Sequence, residues 1–432
     1  MYVADSRAST PAQTSAEPAG RPRAGRRRAA GPVVLALGTV SLITDVSSEM
    51  VTAVLPLYLV TGLGLSPLGF GLLDGVYNGF SALVRLVGGR FADSGPGRHK
   101  TVAVLGYGLS ALCKPLLLLA GSLPAIGVVL AADRTGKGLR TAPRDALISL
   151  SSSPENRGRA FGVHRAMDTA GALLGPLVAF LILRATVDGY DAVFTVSFCV
   201  AALGVAVLVL FVPRNGRGAG PVGPRPETAG RARPTRPSPA LLRITLCATL
   251  LGLATVSDAF VYLILQRQLG VSERWFALLP LGTAAAFLIL AAPLGRLCDR
   301  IGAWPVFLGG HLALLAVYAL LFTHAHSPAL PYAVLLLHGT FYAATDGVLM
   351  AAASAGLSEA RRSSGLAVVQ TGQAAARFAC SLGFGAAWTA WGDRTALGTA
   401  AALLGVCGVV SYALRPSTHS PTEQTEKTEV TA

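Results

Sequence analysis

The chain predicts an all-α membrane protein of about 12 transmembrane helices in two six-helix repeats, and three observations carry that expectation. Its 432 residues are 52% hydrophobic and only 13% charged, with a mean hydropathy of +0.55, against roughly 25% charged residues in an average soluble domain. The apolar residues gather into runs of about 20 or more, the length a helix needs to cross a hydrocarbon core of roughly 30 Å. Gly89 and Asp93, after the second run, return as Gly295 and Asp299 after the eighth. Helix is required because lipid cannot hydrogen-bond a backbone that fails to pair with itself.

Residues 1–31 form a polar leader ending in Arg26, Arg27 and Arg28. It lacks an apolar core of signal-peptide length, so a disordered cytoplasmic tail is expected. The first half, 32–212, holds runs at 33–60, 68–90, 101–120, 124–150, 158–184 and 190–212. The second, 240–414, holds runs at 240–266, 275–297, 303–322, 330–356, 364–390 and 396–414. Between them, 213–239 is rich in Pro, Gly and Arg and reads as a flexible cytoplasmic linker. Residues 415–432 are a second cytoplasmic tail. Even-numbered connections carry Arg98, Lys100, Arg157, Arg159, Arg296, Arg300, Arg361 and Arg362, and odd ones only Arg184, Arg267, Arg274 and Arg394. The basic side is cytoplasmic, which puts both termini inside and the protein, multi-pass, in the plasma (inner) membrane.

The +14 net charge is spread over these short connections rather than along one basic face, so no nucleic-acid partner is expected. Six cysteines lie scattered without CxxC spacing, which indicates neither disulfide framework nor zinc site. No HExxH, GxSxG or complete phosphate loop occurs, so an enzyme is not expected.

Further motifs cluster between Asp133 and Pro176, the stretch richest in charge. The second-half loop reads GRLCDRIG from Gly295 to Gly302; the first-half version keeps Gly89 and Asp93, has Ser94 in place of a basic residue, and delays Arg98. Arg134, Lys137 and Gly138 stand in the fourth run, and Gly162, Gly171, Gly175 and Pro176 in the fifth. These residues resemble the signatures of the major facilitator superfamily. The resemblance covers nearly all of 33–414 and implies a monomeric secondary transporter. It further implies a conformational latch at Gly89, Asp93, Arg98, Gly295, Asp299 and Arg300, proton coupling near Arg134, and an antiporter-like packing motif at the fifth-run glycines and Pro176.

The same positions have a physical reading of their own. Charge inside a bilayer persists where it faces a cavity or a partner. Asp45 and Glu49, four residues apart, share a helix face, and two close carboxylates favour one bound proton. Asp45 is therefore expected to be a coupling carboxylate, the alternative being neutralisation by an arginine such as Arg134. Asp74 and Asn78 share a face, with Asp74 either in the pathway or at the outer helix end. Arg134 and Lys137 can point into one cavity. His164 and Asp168, beside Arg165, form a candidate proton relay. In the second half Asp258, His338, Asp346, Gln370, Gln373 and Arg377 are the intramembrane polar residues, with Asp346 to Arg377 pairing one expectation. Gly171 and Gly175 form a small-xxx-small pair that allows close helix approach.

Together these features point to a transporter working by alternating access, with protons, a small molecule and the bilayer as partners, no cofactor or metal, and a proton gradient as energy source. Proton-coupled efflux is the leading reading. An importer or exchanger of an anionic organic solute, drawn by Arg134, Lys137 and Arg165, is the second, and a non-transporting receptor or assembly subunit the third.

Overall fold

A computed structural model describes residues 31–92, 98–152, 157–187, 189–213, 239–270, 272–323, 327–355 and 359–414, and its regular elements there are all helices. In the first half α1 (Pro32–Leu57) runs into a π-helical turn at Tyr58–Gly62, followed by α2 (Pro67–Ala92), α3 (Arg98–Leu119), α4 (Leu123–Leu150), α5 (Arg157–Ala185) and α6 (Gly189–Phe211). In the second come α7 (Pro239–Leu253), α8 (Asp258–Leu269), the single turn α9 (Glu273–Phe276), α10 (Leu279–Ile301), α11 (Ala303–Phe322), α12 (Leu330–Ala355) and α13 (Glu359–Ala413).

Among the described residues nine stretches are long and apolar enough to cross a membrane. The charge-rich α4 is not one of them, yet its 28 residues reach about 42 Å at 1.5 Å per residue. The predicted eleventh and twelfth runs are continuous in α13, which bends at Gly392 with φ 84°. That left-handed geometry suits glycine, so one residue does the work of a loop. Large apolar side chains such as Leu119 (81% exposed) and Leu210 (75%) stand on the outer surface, where lipid rather than water is their natural solvent.

The duplication read from the loops appears in the packing. In the first half α1 lies on α5, α2 on α4 and α3 on α4; the second repeats this as α7 on α13, α10 on α12 and α11 on α12. A Cβ at Gly171 would meet the Leu42 carbonyl oxygen at 2.5 Å, and one at Gly175 the Val46 oxygen at 2.9 Å, so these glycines do bring α5 onto α1. A Cβ at Gly162 would meet nothing within 4 Å; helix packing does not account for that glycine.

The seventh run is not the single helix expected over 240–266. It breaks at Ala254–Ser257, between α7 and α8. Unpaired backbone is expensive inside a membrane, and one side chain satisfies it: the Tyr318 hydroxyl of α11 accepts from Val256 N–H at 2.7 Å and donates to the Ala254 carbonyl at 3.1 Å. Ser257 then caps α8, its hydroxyl accepting from Ala259 N–H. Tyr318→Phe is expected to destabilise the protein by about 1–3 kcal/mol, the cost of leaving buried polar groups unpaired. A thermal unfolding midpoint equal to that of the unmodified protein would remove the hydroxyl from this role.

The halves meet firmly at the ends remote from both termini. Glycines of α2 lie on α13: a Cβ at Gly71 would meet the Ser381 carbonyl at 2.4 Å, and one at Gly385 the Pro67 carbonyl at 2.4 Å. Leu68 N–H donates to Thr389 Oγ1, Tyr190 donates to Glu273 at 2.8 Å, and Phe180 packs on Trp275.

Candidate functional site

Behind that closure lies a cavity whose walls come from both halves. Glu49 and Thr52 of α1 and Asp74, Tyr77 and Asn78 of α2 line one side; Thr255 to Asp258 at the helix break, Tyr342 and Asp346 of α12 and Arg377 and Ser381 of α13 line the other. Asp74 therefore lines this cavity and is not confined to a helix end. The Ser381 hydroxyl donates to Asp74 Oδ2 at 2.6 Å, bridging the halves, and the Asn78 amide donates to Oδ1 at 3.0 Å. Asp258 begins α8, and both of its donors sit on Oδ1: His338 Nε2 at 3.0 Å and the Tyr342 hydroxyl at 2.5 Å. Asp346 and Arg377 also line an adjoining smaller cavity with His311 and Gln373. Gln370 reaches the Met350 sulfur.

A second constellation lies on the first-half helices α1, α4 and α5. Asp45 is met by Arg140 at 3.4 Å, not by Arg134. The Asp45 and Asp168 carboxyls are within hydrogen-bonding reach of each other. Asp168 also has Arg144 and Arg165 at 3.6 Å each. The proposed His164–Asp168 contact does not form: the imidazole instead hydrogen-bonds the Ser41 hydroxyl at 2.8 Å, and Arg144 reaches that same hydroxyl. A four-residue spacing puts two side chains on one face, but the arginine from α4 enters between them. Lys137 stands 3.9 Å from Glu49, so one end of this constellation touches the cavity.

Arg134 and Lys137 do not converge on one cavity as their spacing suggested. Arg134 pairs with Asp133 at 2.7 Å and lies over the Tyr77 ring at 3.7 Å, behind the cavity wall. Asp133 in turn takes Lys114 at 2.7 Å and the Ser110 hydroxyl at 2.6 Å. This buried group on α3 and α4 was not anticipated, although a lysine inside the apolar run ALCKPLLLL was its visible signal. Ser381 and Tyr342 were also missed, because a hydroxyl in a membrane helix is too ordinary to single out.

Of the latch residues, Asp93 lies outside the described residues, and for Gly89 and Arg98 only the helical backbone is described. Gly295, Asp299 and Arg300 close α10, with Asp299 and Arg300 exposed.

The profile of the Major Facilitator Superfamily matches residues 37–380 and, separately, 245–431. The chain belongs to the major facilitator superfamily. It is accordingly an integral membrane transporter and not an enzyme. Over 321 residues it is 30% identical to an uncharacterised transporter of the superfamily from Methanocaldococcus jannaschii, covering 73% of this chain and 78% of that one. An uncharacterised protein of Mycobacterium tuberculosis is 32% identical over 195 residues, 45% of each chain. Among solved superfamily folds, a bacterial homologue of the human lysosomal transporter Spinster, inward-facing and unoccupied, superposes with a TM-score of 0.72 at 16% identity, covering 90% of this chain and 98% of that one. The nucleoside transporter NupG, in a mutant form, gives 0.73 at 12% identity over 89% and 100%.

Proposed function

We propose that this transporter exports a small molecule across the plasma membrane in exchange for protons, with the Asp45–Asp168 pair as the proton-holding element. One observation carries the reading. Two carboxyl groups stand within hydrogen-bonding reach, and each has an arginine of α4 beside it, Arg140 at 3.4 Å from Asp45 and Arg144 at 3.6 Å from Asp168. Two carboxylates cannot hydrogen-bond each other unless one carries a proton, and like charges at such range favour that proton's retention.

Arg140 and Arg144 flank the pair from α4, and Arg165 from α5. Loss of the proton would leave two anions competing for these arginines, a change large enough to bias how α1, α4 and α5 sit. Lys137, beside Glu49, links the pair to the cavity wall. Proton binding and cavity occupancy thereby share one charge network, as exchange requires. Both termini would lie on the cytoplasmic side.

The anionic-solute reading is the less favoured of the two, because each cation it invoked has a carboxylate within 4 Å: Arg134 has Asp133, Lys137 has Glu49 and Arg165 has Asp168.

The test needs no substrate. Spin labels at Leu150→Cys and Ile301→Cys, at the terminus-side ends of α4 and α10, are placed in a background lacking Cys199 and Cys298. The label separation is expected to change between mildly acid and mildly alkaline pH, and to lose that response in Asp45→Asn. An equal pH response in Asp45→Asn, or none in the parent, refutes the assignment.

A further inference from the structure

We infer that the central cavity is a binding site for an organic cation with an aromatic or otherwise apolar body, held between Asp74 of the first half and Asp258 of the second. This rests on the transport reading above for its purpose, but not on proton coupling or direction.

The charge of the cavity wall comes first. Four carboxylates and one guanidinium line it: Glu49, Asp74, Asp258 and Asp346 against Arg377. Glu49 has Lys137 at 3.9 Å just behind the wall, and Asp346 and Arg377 are opposite in sign. Asp74 and Asp258 are what remains. Asp74 is 9% exposed, and its hydrogen-bond partners, the Ser381 hydroxyl and the Asn78 amide, are both neutral. Among the described residues no lysine or arginine lies within ion-pair distance of either Asp74 or Asp258.

Asp258 is held differently. It sits in the first turn of α8, where the helix macrodipole stabilises negative charge. His338 and Tyr342 both occupy Oδ1, which leaves Oδ2, on a residue that lines the cavity, without a donor among the described residues. The two carboxylates are within electrostatic reach of each other. Two like charges facing one cavity repel, and a cation between them removes that repulsion while adding two attractions in a medium that screens them weakly.

The walls supply the second half of the recognition. Tyr77, Tyr262, Phe276, Phe287 and Tyr342 surround the same space. Aromatic faces attract organic cations, and aromatic enclosures recognise quaternary ammonium groups. An inorganic cation would use the carboxylates but leave these rings idle; an apolar neutral ligand would use the rings but leave the carboxylates unmatched. An organic cation satisfies both. Because Asp74 and Asp258 belong to opposite halves, the bound cation would also tie the halves together, and its departure would free them to move apart.

The test uses two ions of matching shape and opposite charge, tetraphenylphosphonium and tetraphenylborate, in equilibrium dialysis against the purified full-length protein in detergent, with protein-free micelles subtracted. Saturable binding of the phosphonium is expected, with none of the borate. Asp258→Asn and Asp74→Asn, each removing one member of a desolvated charge pair, are each expected to weaken it by about 30-fold or more, while Asp191→Asn, exposed in the first turn of α6, leaves it intact. Should either variant fail to give a monodisperse peak, Phe287→Ala tests the aromatic wall and is expected to weaken the phosphonium likewise. Equal binding of both ions, preference for the borate, or phosphonium affinity unchanged in the folded variants overturns the proposal. An intact pH response of the spin labels beside such a failure would locate the error in the cation site alone.

Discussion

Asp133→Ala is expected to destabilise the protein by about 3–5 kcal/mol, the characteristic cost of stripping one partner from a buried ion group. Its carboxylate holds Lys114 and Arg134 at 2.7 Å each, and all three side chains are buried. The two cations would then face each other with the Ser110 hydroxyl as the remaining neutral neighbour. Thermal unfolding in detergent can be followed with a thiol-reactive dye, since Cys113, Cys247, Cys380 and Cys407 are buried and react on unfolding. A large drop in midpoint is the expected result. Adding Lys114→Met should recover part of it, because one of the orphaned charges is gone. A midpoint unchanged in Asp133→Ala would show that the group is not a structural ion cluster.

Gly71→Ala is expected to act on conformation more than on folding. The new methyl would lie 2.4 Å from the Ser381 carbonyl oxygen and 3.2 Å from Gly385 Cα. Both are backbone atoms that cannot swing aside, so α2 and α13 must separate. Overpacking of this kind costs about 1–3 kcal/mol, and because it falls on the closed far end, it should shift the balance between closed and open by roughly 5- to 150-fold. Spin labels at Ser66→Cys and Trp391→Cys should report a longer separation in the variant. The hydrogen bond between Asp74 and Ser381 would weaken with it, coupling the seam to the cavity. An unchanged separation would mean that the seam yields locally and does not set the closure.

Much of this architecture is legible in the residues. Apolar run length placed the helices to within a few residues, and the paired Gly–Asp loops disclosed the duplication that the packing repeats. The membrane charges were also visible one by one, since each is conspicuous in an apolar run. Their partnerships were not. Asp133, Lys137, Arg140 and Arg144 follow one another along a single helical stripe of α4, so spacing alone cannot tell which of them meets Asp45. That depends on the rotation of α4 against α1, which is set by how α4 packs on other helices, for instance where Gly136 meets Gly106 of α3. The same holds for His164, whose partner Ser41 is 123 positions away. The break at Ala254–Ser257 had only faint local signals, Gly252 just before it and the cap pair Ser257–Asp258 at its end, and both are too common in membrane helices to announce it. What permits the break is Tyr318, and a tyrosine in an apolar run carries no mark of that duty.

The break bears on how the protein is made. Neither α7, with 15 residues, nor α8, with 12, reaches across a bilayer alone, at about 22 and 18 Å respectively. As a ribosome feeds the chain outward, the seventh span enters the insertion machinery with Val256 N–H and Ala254 C=O still bare. The hydroxyl that answers them is 62 residues behind Val256 in the order of synthesis. The seventh span is thus expected to stay sheltered by the translocon, or by the finished first half, until the ninth arrives. Chains truncated before residue 318 should remain crosslinkable to the insertion machinery at this span, and those extended through α11 should not.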